Sequence, residues 1–322
     1  MRLKEIYETI IKKGIEADPR GRDGVERFLN QRRKAYDGMK EDEKEFYDVE
    51  RLTNPYDDTR ILHGNGDEEA KTILVGIDLE VQEVLLADRL SSKGKRIDLL
   101  MSHHPEGRAY ASFYEVMHMQ ADILNKFGVP INIAEDLLEG RIKEVERRVS
   151  PVNHTRAVDA AKLLDIPFMC AHTPADNMVT RYLQGLFDKK APDTIGDILN
   201  ILKEIPEYRE AGRNNAGPRI LIGNKDRRAG KVFVDMTGGT EGAKNIFESL
   251  ANSGVGTIVG MHLSEDHRKE AEKHHINVVI AGHISSDNLG VNLLLDELER
   301  IDSLEIVPCS GFRRFKRTEG IH

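Results

Sequence analysis

The residues with chemical potential stand at the ends of three apolar runs. Residues 96–105 pass through Ile97, Leu99, Leu100 and Met101 and break off in His103, His104 and Pro105. Residues 166–171 end in His172, and residues 276–281 end in Gly282 and His283. Asp176 and Asp287 follow His172 and His283 by four residues each. Twelve scattered histidines would seldom place four at predicted strand ends, where α/β proteins build their sites because the sheet fixes position and the following loop varies. Imidazole nitrogens with carboxylate oxygens form a donor set for zinc, iron or manganese, and the lack of thiolates argues against an iron–sulfur cluster or structural zinc. Adjacent histidines on a strand face opposite ways, so His103 and His104 share a site only if the strand has ended or two metals are present. Pro105, which has no N–H to continue a ladder, supplies the break.

The elements that must carry these residues are legible from periodicity. Leu3, Ile6, Tyr7, Ile10 and Ile11 recur at helical spacing over residues 3–17, which Asp18-Pro19 ends, and a second helical pattern starts near residue 23. Residues 40–49 are charged enough to lie on the surface. The first buried strand is 71–78, closing in Asp78; a helix over 80–90 and the strand 97–101 complete a β-α-β unit with a right-handed crossover. Helices are predicted over 112–127, 134–148 and 155–164, with 128–133 a turn into extended chain. After His172 come helices over 178–187 and 194–202. Strands at 231–235, 256–260 and 276–281 then alternate with helices, a final helix covers 288–300 and a last strand 304–308. This rhythm gives an α/β fold with mostly parallel sheets and helices outside. It divides into a helical N-terminal extension (1–60), a first α/β half (61–190), a helical connector (191–230) and a second α/β half (231–322).

Bulk properties exclude several classes. Lys and Arg number 47 against 55 Asp and Glu, and the net charge of −8 gives no reason to expect a nucleic-acid partner. Arg313, Arg314, Lys316 and Arg317 form a local basic cluster, read as a solvated tail. Cys170 and Cys309 lie far apart without metal-finger spacing, the N-terminus has no apolar signal core, and no run approaches the roughly eighteen residues of a membrane helix. A cytoplasmic location without membrane contact is the expectation.

Taken in order, Ile77-Asp78-Leu79-Glu80-Val81, His103-His104-Pro105, Ala171-His172-Thr173-Pro174-Ala175-Asp176, Gly238-Gly239 and Ala281-Gly282-His283-Ile284-Ser285-Ser286-Asp287 resemble the Nif-three-like family of dinuclear metal-centre proteins, often labelled GTP cyclohydrolase type-two homologues. The resemblance implies two interlinked α/β halves, two divalent ions (zinc, iron or manganese) held by His103, His104, Asp176, His283 and Asp287, and a ring-shaped homohexamer. Asp287 departs from the family's usual glutamate, which shortens the carboxylate's reach by one methylene. The label implies a metal-dependent hydrolase of a nucleotide-like or heterocyclic small molecule. The alternatives are a metal or iron-cofactor carrier without turnover, and a regulatory interaction protein. His172 is read as the catalytic proton relay, against a plain role in orienting Asp176. Asp78 and Asp235 end strands, where they touch substrate or a ligand histidine or simply cap helices. His262 and His267 flank a turn near the site and are expected on the surface, as are His118, His154, His274 and His275. The segment before residue 60 and the long spacing from His104 to His172 exceed the family pattern and are read as surface insertions.

Overall fold

The apolar runs become strands buried on both faces, which is why they read as continuous rather than alternating. The computed structural model describes residues 1–317. Strands β1 (Thr59–His63), β2 (Thr72–Gly76), β3 (Leu99–Ser102), β4 (Phe168–Ala171) and β9 (Glu305–Pro308) form one sheet in the order β1-β4-β3-β2-β9, parallel except for β1. Strands β5 (Arg219–Ile222), β6 (Lys231–Asp235), β7 (Val255–Gly260) and β8 (Asn277–Ile280) form the other, in the order β5-β8-β7-β6, parallel except for β5. Because β9 returns from the second sheet to pair with β2, the two halves are interlinked by the chain itself.

Alternate side chains on each strand enter different cores. Ile73, Val75, Leu99, Met101 and Met169 of the first sheet share a core with Val234, Val259 and Val279 of the second. Between these faces lie helices α3 (Thr173–Lys190) and α4 (His283–Glu299). The opposite faces carry Leu74, Leu100 and Phe168 into one outer core and Phe233, Ile258 and Val278 into another, each covered by further helices. Thirteen of the seventeen residues of α4 are buried, so this helix runs as a central rod between the sheets. Helices α3 and α4 cross where Gly290 lies on Ala175; a Cβ at Gly290 would stand 2.8 Å from the Ala175 carbonyl carbon.

The first helix, α1 (Leu3–Ala17), is part of this central core rather than an appendage: Leu3, Ile6 and Ile10 are fully buried, and Gly14 packs on Pro174 at the start of α3. α2 (Gly21–Asp37) buries far less, with Val25 and Leu29 as its buried apolar side chains.

Several expectations are corrected. Residues 128–133 do not lead into extended chain: Gly128, with φ 108°, ends a helix at Phe127, and the next helix, Ile131–Val149, starts directly after Pro130. The β-branched Ile131 and Ile133 suggested a strand, but the fixed φ of proline suits a helix entrance as well. The antiparallel edge strands β1 and β5 had no recognisable pattern. β1 is led by the buried Thr59 and Arg60, and β5 is half exposed inside the stretch expected as a helical connector. The basic cluster is solvated only in part, at Arg313 and Lys316. Arg314 pairs with Asp296 and Glu299, and Arg317 with Glu207, so the chain after β9 straps down along the acidic side of α4. Among the described residues no helix is long and apolar enough to cross a membrane.

Candidate metal centre

Two helix starts and one strand end converge on a single point. α3 begins immediately after β4, at Thr173 rather than near residue 178, because Pro174 sits in the first turn where no N–H is needed. This puts Asp176 in the first turn, where the helix dipole favours an anion. α4 begins at His283, its N-cap Gly282 holding φ 112°, a conformation open to glycine. His283 and Asp287 are then one turn apart on one face. From the first sheet, the backbone N–H groups of His103 and His104 continue β3 along β2 by donating to Gly76 and Ile77. Their rings stand 5.1 Å apart.

Asp287 lies between two groups of donors. Its Oδ1 is 3.5 Å from His103 Nε2, which is also 3.5 Å from Asp176 Oδ1. Its Oδ2 is 3.5 Å from His104 Nε2 and 3.6 Å from His283 Nε2. None of these distances is a hydrogen bond, and His103 Nε2, Asp176 Oδ1 and both oxygens of Asp287 are buried with no hydrogen-bond partner among the described residues. Buried polar atoms are rarely left unpaired, and several converging on one point are suited to holding a cation.

The outer nitrogens of three of the rings are accounted for. His103 Nδ1 donates to the Ala171 carbonyl (3.1 Å), His104 Nδ1 to Asp78 (2.6 Å) and His172 Nδ1 to Asp58 (2.8 Å). Since carbonyl and carboxylate oxygens accept, each Nδ1 carries a proton, and each Nε2, once free of a second proton, has a lone pair to turn inward. Orienting partners of this kind are characteristic of metal-bound imidazoles. Asp78 thus touches one of the histidines singled out from the sequence, His104. Asp58 was missed, because Asn54–Asp58 reads as an ordinary turn; only the fold brings that turn under His172.

Electrostatics point the same way. Burial pushes Asp176 well above the usual carboxylate range, against the pull of His103 and with the push of Asp287. For His104 burial opposes the charge, but Asp287 and Asp78 outweigh it and raise the imidazole to about 10. Asp287, despite burial, is held well below its ordinary value by His103, His104 and His283. Burial lowers His283. The centre therefore carries surplus negative charge and takes up positive charge, as protons or as metal. The buried His and Asp groups fit a metal ion in donor type, spacing and unsatisfied valence.

The centre opens on a cleft of about 460 Å³ lined by Asp78, Glu106, Tyr110, Phe113, Arg156 and His262. Of the polar residues after Pro105, Glu106 lines the cleft, pushed up to about 7 by burial, whereas Arg108 turns away to Glu50. His262 approaches Glu241 and stands 5.0 Å from the His283 ring, half exposed to the cleft. His267, expected on the surface, is buried, with Nε2 donating to the Gly242 carbonyl and Nδ1 accepting from Ser264. Asp235 opens into a smaller adjoining cavity beside Thr240 and His262. Gly238 and Gly239 turn with φ of 98° and 86°, held by Gln120, which donates to the carbonyls of Gly238 and Thr240. His118 and His275 are exposed, and His154 and His274 are partly so.

No family model matches the chain, and no curated protein matches it either. Solved structures do. A NIF3 superfamily protein from Sphaerobacter thermophilus aligns with a TM-score of 0.69 at 26% identity, covering 79% of this chain and 91% of that one. Reduced HcgD from Methanocaldococcus jannaschii aligns at 16% identity with a TM-score of 0.49, covering 78% and 87%. A hypothetical protein of Staphylococcus aureus, SA1388, aligns at 14% and 0.42, covering 81% and 92%. The first of these likenesses extends over most of both chains. Motif order, fold and the convergence of the motif residues agree with this likeness: the chain is Nif-three-like.

Proposed function

We propose that the centre is dinuclear and that the protein is a metal-dependent hydrolase of a nucleotide-like or heterocyclic small molecule. The observation that carries this reading is the placement of Asp287, with Oδ1 towards His103 and Asp176 and Oδ2 towards His104 and His283. His103, Asp176 and Asp287 would hold one divalent ion and His104, His283 and Asp287 the other; zinc, iron and manganese all accept such donors. Two ions of this kind supply Lewis acidity and lower the pKa of water towards neutrality. The chain's own contribution is the cleft. Tyr110 and Phe113 stack at 6.1 Å with planes within 10°, a wall for a flat ring, while Arg156 on the same cleft suits a phosphate or carboxylate. His172 has one nitrogen anchored and one free, to offer to a proton or to an ion. A cytoplasmic homohexameric ring, as the family resemblance implies, completes the proposal, and light scattering in solution tests it.

A second reading, a metal carrier without turnover, is favoured by unequal burial. The side chains of His103 and Asp176 are 1% and 5% exposed, those of His104 and His283 27% and 43%, so one ion would be far easier to release. The deciding experiment is metal analysis of the purified protein followed by assay against a panel of nucleotides and heterocycles. Turnover that requires metal and disappears in His103→Ala supports the hydrolase. Metal transfer to an acceptor with no turnover across the panel supports the carrier. Protein that binds no metal refutes both.

A further inference from the structure

The aromatic wall of the cleft stands on two short helices, and the charged side chains that hold them reach back to the end of the N-terminal extension. We infer that residues 48–58 position this wall, with Arg51 and Asp57 acting on Phe113 through Glu115. The consequence for a bound ring rests on the reading of the cleft proposed above. The segment expected as a surface insertion is thereby part of the site.

Tyr110 lies on the helix Gly107–Ala111 and Phe113 on the 3-10 helix Phe113–His118. Helices of five and six residues are too short to hold their own shape, so their neighbours set where they stand. Apolar packing fixes two points: Ala109 is fully buried, and Met117 enters the outer core of the second sheet. The charged side chains beside the two rings turn the other way. Arg108 pairs with Glu50 at 2.5 Å and donates to the Ile61 carbonyl at 3.1 Å, and Glu115 pairs with Arg51 at 2.9 Å.

Charge balance explains why the wall is drawn onto the extension. Asp57 is fully buried and meets three guanidinium groups: Arg32 of α2, Arg51 at 2.9 Å and Arg60 at 3.3 Å. Charges taken out of water need partners, and one carboxylate cannot balance three cations. Asp48 and Glu50 serve the fully buried Arg60, at 3.1 and 3.6 Å. For Arg51 the second carboxylate is Glu115, two residues beyond Phe113, whose one ion pair among the described residues is with Arg51. The same turn also grips the other side of the cleft. Asp58 holds His172, whose ring meets that of Phe113 edge-on at 6.2 Å. Arg51 and Asp57 are positioning residues: neither lines the cleft, and both act through side chains that do or that adjoin it.

The test uses the full-length protein loaded with zinc. Arg51→Ala should speed amide hydrogen exchange over residues 110–118 by about 10-fold and leave residues 99–104 unchanged. Arg51→Lys, which keeps the charge, should restore most of the protection. With adenosine monophosphate as the probe, calorimetry should show Arg51→Ala binding about 5-fold more weakly, because a displaced ring stacks poorly. Inorganic phosphate affinity and zinc content should stay within about 2-fold of wild type. In a Phe113→Ala background, adding Arg51→Ala should cost less than about 2-fold more, since the arginine acts through the ring. Unchanged exchange over 110–118, or an equal loss of nucleotide affinity with and without Phe113, overturns the inference. If Arg51→Ala does not fold, Glu115→Gln removes the same pair and carries the same expectations. Wild-type protein that binds the nucleotide no better than inorganic phosphate refutes the cleft as a ring site, while the exchange measurement still decides whether residues 48–58 hold the wall.

Discussion

The crossing of α3 and α4 can be tested through one methyl group. Gly290→Ala would place a Cβ 2.8 Å from the carbonyl carbon of Ala175 and 3.3 Å from its Cβ, with the Ala175 carbonyl oxygen closer still. Carbon atoms in contact sit about 3.5–4.0 Å apart, so the helices must separate by about 1 Å. Neither neighbour is a flexible side chain that can swing aside. Overpacking of this kind costs about 1–3 kcal/mol. Its local effect should be larger, because Ala175 precedes Asp176 and Gly290 lies three residues beyond Asp287. Metal sites tolerate only about 0.2 Å in ligand distance, so an opening of about 1 Å between the two carboxylates should weaken the buried ion by at least 10-fold. Gly185→Ala is the control: the same helix α3, with nothing within 4 Å of the new methyl, and an expected gain of about 0.5–1 kcal/mol from helix propensity. Thermal melts and competition with a chromophoric chelator read both effects. Gly290→Ala protein that melts with wild type and holds its ions as tightly would refute the claim that this crossing sets the carboxylate geometry.

Other outcomes follow from the same structure. Timed exposure to a chelator should remove one ion before the other, and His283→Ala should reduce metal content from two ions to one; simultaneous loss would contradict the unequal burial of the two groups. Glu241 is held at about 2: burial pushes it up, but His262, His267 and the Ser264 N–H outweigh burial and bring it below the usual 4.5. Because the folded value is the lower, this stabilisation is present above about pH 4.5 and fades as pH falls towards 2, by roughly 2 kcal/mol after allowance for solvent screening. Glu241→Gln should flatten that part of the stability–pH curve measured by denaturant unfolding. Arg314→Met leaves the buried Asp296 without its partner and should cost about 2–3 kcal/mol in the same measurement; a neutral result would mean the strap on α4 contributes no stability.

The sequence by itself determined which residues belong to the centre and on what kind of fold they stand. A strand buried on both faces has to be apolar throughout, so its ends show sharply, and His103, His104, His172 and His283 mark three of them. Asp176 and Asp287 were found with them because a spacing of four is short-range information. Partners drawn from distant segments left no such trace. Asp58 reads as part of a turn, Gly290 as an unremarked helix residue, and β5 as a piece of a connector. Asp58 and Gly290 acquire their roles through neighbours more than a hundred residues away, His172 and Ala175, and β5 through its antiparallel pairing with the distant β8. The partition of Asp287's two oxygens between two donor groups was likewise beyond the sequence, because it depends on how α4 lies between the sheets. Residue type and local period fix what a segment can do, whereas the distance between segments is set by packing.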